Sequence, residues 1–127
     1  GEWRQLSRYR VFMDAYNANP SSMEASLRNA APRLDSQSTL YVAGDLFELG
    51  DYAAVAHQRM VDLMLELGIS DAILVGPIFG ACRHPYRSVA STEELMAIWT
   101  KSPPHAKAIW FKGSRGMALE RLLSVLE

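Results

Sequence analysis

The sequence predicts an open α/β fold, a mostly parallel sheet with helices on both faces. Two observations carry that prediction. Short, near-continuous apolar runs alternate with segments of helical period, as strands buried on both faces alternate with their crossover helices. The polar and glycine clusters, moreover, follow the apolar runs instead of being scattered among them.

Taken in order, Arg10-Val11-Phe12-Met13 is the first strand and ends at Asp14. Asn19-Pro20-Ser21-Ser22-Met23-Glu24 reads as a helix start. Proline suits the first turn, and Ser21, three residues before Glu24, offers a capping box. Met23, Leu27 and Ala30 follow at helical spacing, and Pro32 limits the helix. Thr39-Leu40-Tyr41-Val42-Ala43 is the second strand, closed by Gly44-Asp45. From Tyr52 to Leu67 the residues Ala56, Met60, Leu63, Met64 and Leu67 share one helical face, with Gly68 as C-cap. The third strand, Ala72-Ile73-Leu74-Val75, ends at Gly76-Pro77. Arg87-Ser88-Val89-Ala90 predicts a shorter strand, and Ser91-Thr92-Glu93-Glu94 a capping box opening a helix through Trp99. Beyond the Pro103-Pro104 loop, Ala108-Ile109-Trp110-Phe111 is the last strand, ending at Lys112-Gly113-Ser114-Arg115. A final helix carries Met117, Leu119, Leu122, Leu123 and Leu126.

The 127 residues fit one domain, 1–127. At 49% hydrophobic and 21% charged, the chain has the composition of a soluble globular protein. A domain of this length buries roughly two thirds of its unfolded surface, so it needs no disulfide or metal to fold. The formal net charge is −1 with signs intermixed, which leaves no nucleic-acid footprint. No apolar stretch approaches the roughly 20 residues of a membrane helix. Cys82, the single cysteine, excludes an intramolecular disulfide and suits a reducing compartment. No Cys/His cluster has metal-ligand spacing. The opening Gly1-Glu2-Trp3-Arg4 is neither a signal peptide nor an obvious native start, as if cut from something longer.

In an open parallel sheet the positions just after the strands gather along the carboxyl edge, where ligands bind. Asp14 to Asn19, Gly44 to Glu48, Gly76-Pro77 and Lys112 to Arg115 all fall there. Each cluster also has a plain reading. Asp14, Asn17 and Asn19 read equally as turn and cap residues. Gly44 and Gly113 read as glycines whose turns need positive φ. Asp45 and Glu48 read as first-turn acids stabilised by a helix dipole. Lys112 with Gly113-Ser114-Arg115 offers N–H groups, a hydroxyl and two cations to a phosphate or carboxylate, its alternative being a solvated turn. His57 reads as a structural or surface histidine within the second helix. There is no G-x-x-x-x-G-K-[S/T] loop, no G-x-G-x-x-G after the first strand and no G-x-S-x-G elbow. A ligand edge without a catalytic engine suggests part of a larger enzyme.

These residues carry a resemblance. Asp14-Ala15-Tyr16-Asn17-Ala18-Asn19-Pro20-Ser21-Ser22-Met23 resembles the YNANP-x-SM segment of the D-alanyl-D-alanine-adding Mur ligases. Gly44-Asp45-Leu46-Phe47-Glu48-Leu49-Gly50 is similar to their GD-x-x-ELG segment, and His57 to a histidine shortly downstream of it. Lys112-Gly113-Ser114-Arg115-Gly116-Met117 with Glu120 resembles their KGSRG-x-x-x-E segment. Order and spacing agree across most of the chain. Many relatives read Asp-Asp-Ser where this chain has Met13-Asp14-Ala15, so one acid and one hydroxyl are missing.

The resemblance implies the Rossmann-like third domain of a cytoplasmic, ATP-dependent enzyme, inactive alone, whose other domains hold the UDP-sugar, the phosphate loop and most Mg2+ ligands. It implies partners ATP, D-alanyl-D-alanine and, through the other domains, UDP-N-acetylmuramoyl-tripeptide. Asp14, Tyr16, Asn17 and Asn19 would then face the nucleotide, and Lys112, Ser114 and Arg115 the dipeptide or phosphoryl end. Asp45, Glu48 and His57 would support the loop between them. The rival readings are a related Mur or folylpolyglutamate-type ligase domain with another acceptor, and a non-catalytic α/β binding module.

Overall fold

The structure, a computed structural model, describes residues 2–14 and 18–127. Tyr16 and Asn17 lie outside the described residues. Six strands, β1 (Glu2–Leu6), β2 (Tyr9–Met13), β3 (Thr39–Gly44), β4 (Ala72–Val75), β5 (Arg87–Val89) and β6 (Ala108–Lys112), form one sheet in the order β1-β2-β6-β3-β4-β5. Every pairing is parallel except β1 with β2. β1 is an addition to the expected elements. Its polar sequence shows no apolar run, and its hairpin turns through Ser7, with φ at 54°, instead of an Asn-Gly pair. Trp3 anchors it, its ring 5.3 Å from that of Phe12, with the Arg10 guanidinium 4.7 Å from the indole centroid.

Helix α1 (Pro20–Ala30) is capped two residues before the expected Ser21. Pro20 occupies the first helical position, which makes Asn19 the N-cap. Asn19 Oδ1 accepts from the Ser22 N–H at 2.9 Å, and the Asn19 N–H donates back to Ser22 Oγ at 3.0 Å. Asn19 and Ser22 thus replace Ser21 and Glu24 as the capping box, and Glu24 pairs with Arg28. Helix α2 (Ala53–Glu66) follows a 3-10 turn, and Gly68 ends it at φ +76°. Helix α3 (Pro77–Gly80), a single turn, was not foreseen, because four residues carry no periodicity. Helix α4 (Thr92–Lys101) is capped by Ser91, whose Oγ accepts from the Glu94 N–H, while Glu94 reaches the N–H of Ala90.

The expected final helix consists of two 3-10 segments, Arg115–Met117 and Leu119–Val125, separated by Ala118 in the left-handed region at φ 52°. Leu119 and Leu122 are buried, and their three-residue spacing suits a 3-10 turn as well as an α-helix.

β3, β4 and β6 are buried along their whole length. Tyr41, Ala43, Leu74 and Trp110 face α1 and α2, where Met23, Leu27, Met60 and Met64 meet them. Leu40, Val42, Ile73, Ile109 and Phe111 face the other way, toward Leu95 and Trp99 of α4 and Leu119 and Leu122. Alternate residues of each strand therefore supply two cores, the requirement for helices on both faces.

Burial pushes the Tyr41 phenol from 10.0 up to about 12. The unfolded chain therefore ionises first. The stability due to neutral Tyr41 is complete below pH 10.0 and is lost as pH rises toward about 12. Tyr41→Phe is expected to flatten the alkaline fall in stability across that window, measured by urea denaturation at stepped pH. An unchanged alkaline slope would contradict this.

Candidate functional site

β2, β6, β3 and β4 all end at the carboxyl edge, and their register sets which loops meet. Met13 pairs with Phe111, and Ala43 with Lys112, so Lys112 lies between the ends of β2 and β3. Its side chain is 2% exposed, and its Nζ donates to Asp14 Oδ2 at 2.5 Å. Next to it, Gly44 and Gly113 bring the backbones of the two loops together. A methyl group on Gly113 would lie 2.8 Å from Gly44 Cα and 3.0 Å from Leu119 Cδ1. Neither glycine has positive φ, so close approach, not turn conformation, is what requires glycine at 113.

Ser114 locks the two loops. Its N–H donates to the Asp45 carbonyl at 3.0 Å, and its Oγ accepts from the Phe47 N–H at 2.7 Å. Asp45, 1% exposed, caps α3 from across the sheet. Its two carboxylate oxygens accept from the N–H groups of Ile78 and Phe79 at 2.9 and 2.8 Å. Gly76 makes room for that carboxylate: a Cβ there would sit 2.3 Å from it, and the residue holds φ +119°. Asp45 is therefore a cap of a neighbouring helix and not a first-turn acid of its own. Glu48 is exposed, with φ at 64°.

His57 is wholly buried. Its Nε2 accepts from the Leu46 N–H at 2.9 Å, which assigns the proton to Nδ1, facing the Ala53 carbonyl at 2.7 Å. The ring stands edge-on to Phe79, centroids 4.6 Å apart. His57→Phe keeps the volume but strands the Leu46 N–H. The expected loss is about 2 kcal/mol of unfolding free energy in urea titration. A loss below roughly 0.5 kcal/mol, the scale of an ordinary surface substitution, would mean the bond contributes nothing.

Of the expected site residues, Asp14 meets Lys112, Ser114 meets the Asp45 backbone, and His57 holds Leu46 beside it. Arg115 is exposed and available to a ligand, whereas Lys112 and Ser114 are occupied within the fold. Asn19 is exposed, and its Oδ1 serves the cap of α1. Phe47 and Ile78 were missed by sequence reasoning. With Ala90, Met117 and the pair Glu93–Arg121, they border a largely apolar recess of about 390 Å³ on this edge. Phe47 is 42% exposed and lies over Gly116, where a Cβ would come within 2.7 Å of its ring. A larger cleft, about 490 Å³, lies at the amino ends of the strands around Leu40, Asp71, Arg87 and Trp99. The carboxyl-edge recess is the better candidate because it lies where ligands meet an open parallel sheet, although Asp45 is the one expected site residue in its lining. Burial raises the Cys82 thiol, and the Asp45 and Asp62 carboxylates raise it further, which disfavours the nucleophilic thiolate. Among the described residues no three His, Cys, Asp or Glu side chains cluster to hold a metal, and no helix is long and apolar enough to cross a membrane.

The family model described as "Mur ligase, glutamate ligase domain" matches residues 2–125. A UDP-N-acetylmuramoyl-tripeptide–D-alanyl-D-alanine ligase of Treponema pallidum is 36% identical over 126 residues, covering 90% of this chain and 27% of that relative. Its namesake in Rickettsia prowazekii is 27% identical over 129 residues, covering 97% of this chain and 28% of that one. The chain thus spans little more than a quarter of these curated relatives. Among solved structures, a MurF ligase from Thermotoga maritima in complex with ADP superposes with a TM-score of 0.77 at 20% identity, covering 98% of this chain and 29% of that chain. MurF from Acinetobacter baumannii superposes with a TM-score of 0.76 at 26% identity, covering 98% and 29%.

Proposed function

This chain belongs to the Mur ligase family, as its glutamate ligase domain, and from that premise we propose that it is the third domain, residues 1–127, of a cytoplasmic ATP-dependent ligase joining D-alanyl-D-alanine to UDP-N-acetylmuramoyl-tripeptide. The observation that carries the reading is the carboxyl edge, where the three motif-bearing loops are held together by Lys112–Asp14 and by Ser114 with Asp45 and Phe47.

In the proposed reaction the tripeptide carboxylate attacks the γ-phosphorus of ATP, and ADP leaves. The dipeptide amine then attacks the acyl phosphate, giving up a proton, and inorganic phosphate leaves. Domains preceding this one would hold the UDP-sugar, the phosphate loop and most of the Mg2+ ligands. This domain supplies positioning, and closing it over the nucleotide excludes water. Asp14, Tyr16, Asn17 and Asn19 face ribose or adenine. For Asn19 the cap leaves the side-chain amide N–H groups for that task, and their chemistry suits a ribose oxygen or an adenine ring nitrogen. Arg115 meets the dipeptide carboxylate, for which an exposed guanidinium is suited. Lys112 and Ser114 shape the loop beneath it, and Asp45, Glu48 and His57 support its neighbour.

The test is the parent ligase with ATP, Mg2+, the UDP-tripeptide and either D-alanyl-D-alanine or single amino acids, read by product mass. Ligation of another acceptor only, or of none, would overturn the reading. Arg115→Ala is expected to raise the dipeptide KM about tenfold or more, the size of a lost charge-assisted hydrogen bond, with melting unchanged. A dipeptide KM within twofold of the wild type would remove Arg115 from the site.

A further inference from the structure

Lys112 bears on how the two ligand loops communicate. It is the last residue of β6, in the middle of the sheet, and its ammonium is sealed from water, with the side chain 2% exposed. An ammonium in that position must be neutralised within the protein. Asp14, the first residue after β2, provides the carboxylate, and its own side chain remains 19% exposed. Lys112 holds one of its oxygens, which restricts how the carboxylate can turn toward a ligand hydroxyl. To touch an anion in solvent, Lys112 would have to abandon that carboxylate and bring its charge to the surface. The geometry fits a lysine that acts through aspartate.

We infer that Lys112 is a positioning residue for nucleotide binding: it holds Asp14 in place at the head of the nucleotide-facing segment and does not bind the dipeptide carboxylate or a phosphate. The inference rests on the ligase reading above. It makes the KGSR segment serve both substrates. Arg115 reaches outward to the acceptor, while Lys112, three residues earlier, reaches sideways to the nucleotide loop.

A double-mutant cycle in the parent ligase tests this, with ADP affinity measured by calorimetry and KM measured for ATP and for the dipeptide. Lys112→Met, which keeps the stem and removes the ammonium, is expected to weaken ADP about tenfold, the range for losing a partner that orients a ligand-binding group. The ATP KM should rise in parallel, with the dipeptide KM within twofold. In an Asp14→Asn background the same substitution should cost no further ADP affinity. Losses that multiply would show Lys112 touching the nucleotide directly. A rise in dipeptide KM with ADP affinity intact would make it an acceptor ligand. A lower melting temperature with both KM values unchanged would make it purely structural. Each of these three overturns the inference. Should either single variant fail to fold, the double variant, which removes both charges, is compared with Lys112→Arg, which keeps the pair. The Lys112→Arg variant must retain wild-type ADP affinity within threefold, and the double variant must lose it. A wild-type parent that neither binds ADP nor forms product overturns the ligase reading itself, and this inference with it.

Discussion

Asp45→Ala is expected to lower the unfolding free energy by about 3 kcal/mol and the melting temperature by roughly 10 °C. The substitution leaves two N–H groups without acceptors, those of Ile78 and of the fully buried Phe79. It also opens a gap against Gly76, whose missing side chain exists to admit that carboxylate. Asp45→Asn should fall between, since an amide retains one acceptor but presents an N–H pair to the other donor. Thermal melts give the magnitude, and amide hydrogen exchange gives the location. Protection should drop first at Ile78 and Phe79. A melting temperature within about 2 °C of the wild type would mean that α3 finds other acceptors and that Asp45 is present for a ligand instead.

Gly113→Ala should cost a further 2–4 kcal/mol or so, in the upper range for overpacking, because the atom it strikes is backbone. The new methyl group would stand 2.8 Å from Gly44 Cα and 3.1 Å from the Gly44 carbonyl carbon. Neither can retreat without disturbing the β3–β6 pairing at the centre of the sheet. Gly44→Ala is the informative control. Its methyl group would meet side-chain atoms, Leu119 Cδ1 at 3.1 Å and Met117 Cγ at 3.4 Å, which can shift. Its expected cost is about 1 kcal/mol. Equal losses in the two variants would show that both loops yield alike and that the backbone contact is not the constraint.

Much of this arrangement was legible beforehand because parallel strands buried on both faces announce themselves as apolar runs. Val42, Leu74 and Trp110 sit where such runs place them. The carboxyl edge followed from topology. What escaped depends on contacts between residues far apart in sequence, or on elements too short or too polar for a pattern. β1 is an edge strand with no apolar run, and α3 is one turn. The cap of α1 was readable in principle, since Asn19-x-x-Ser22 stands beside Ser21-x-x-Glu24, but only the placement of Pro20 chooses between them. The reason for glycine at 113 needed the opposite backbone. Lys112 beside Gly-Ser-Arg reads as an anion donor, and its pairing with Asp14, 98 residues earlier, is visible only once the β2–β6 register is known.

The strand order also has a consequence for synthesis. β6, made last of the six, occupies the slot between β2 and β3, which have no direct pairing with each other. A nascent chain that has emerged only as far as α4 lacks the strand that joins β1-β2 to β3-β4-β5. The ribosome must release residues 108–112 before either edge can be covered by its native partner, so the sheet cannot close until its last strand has emerged.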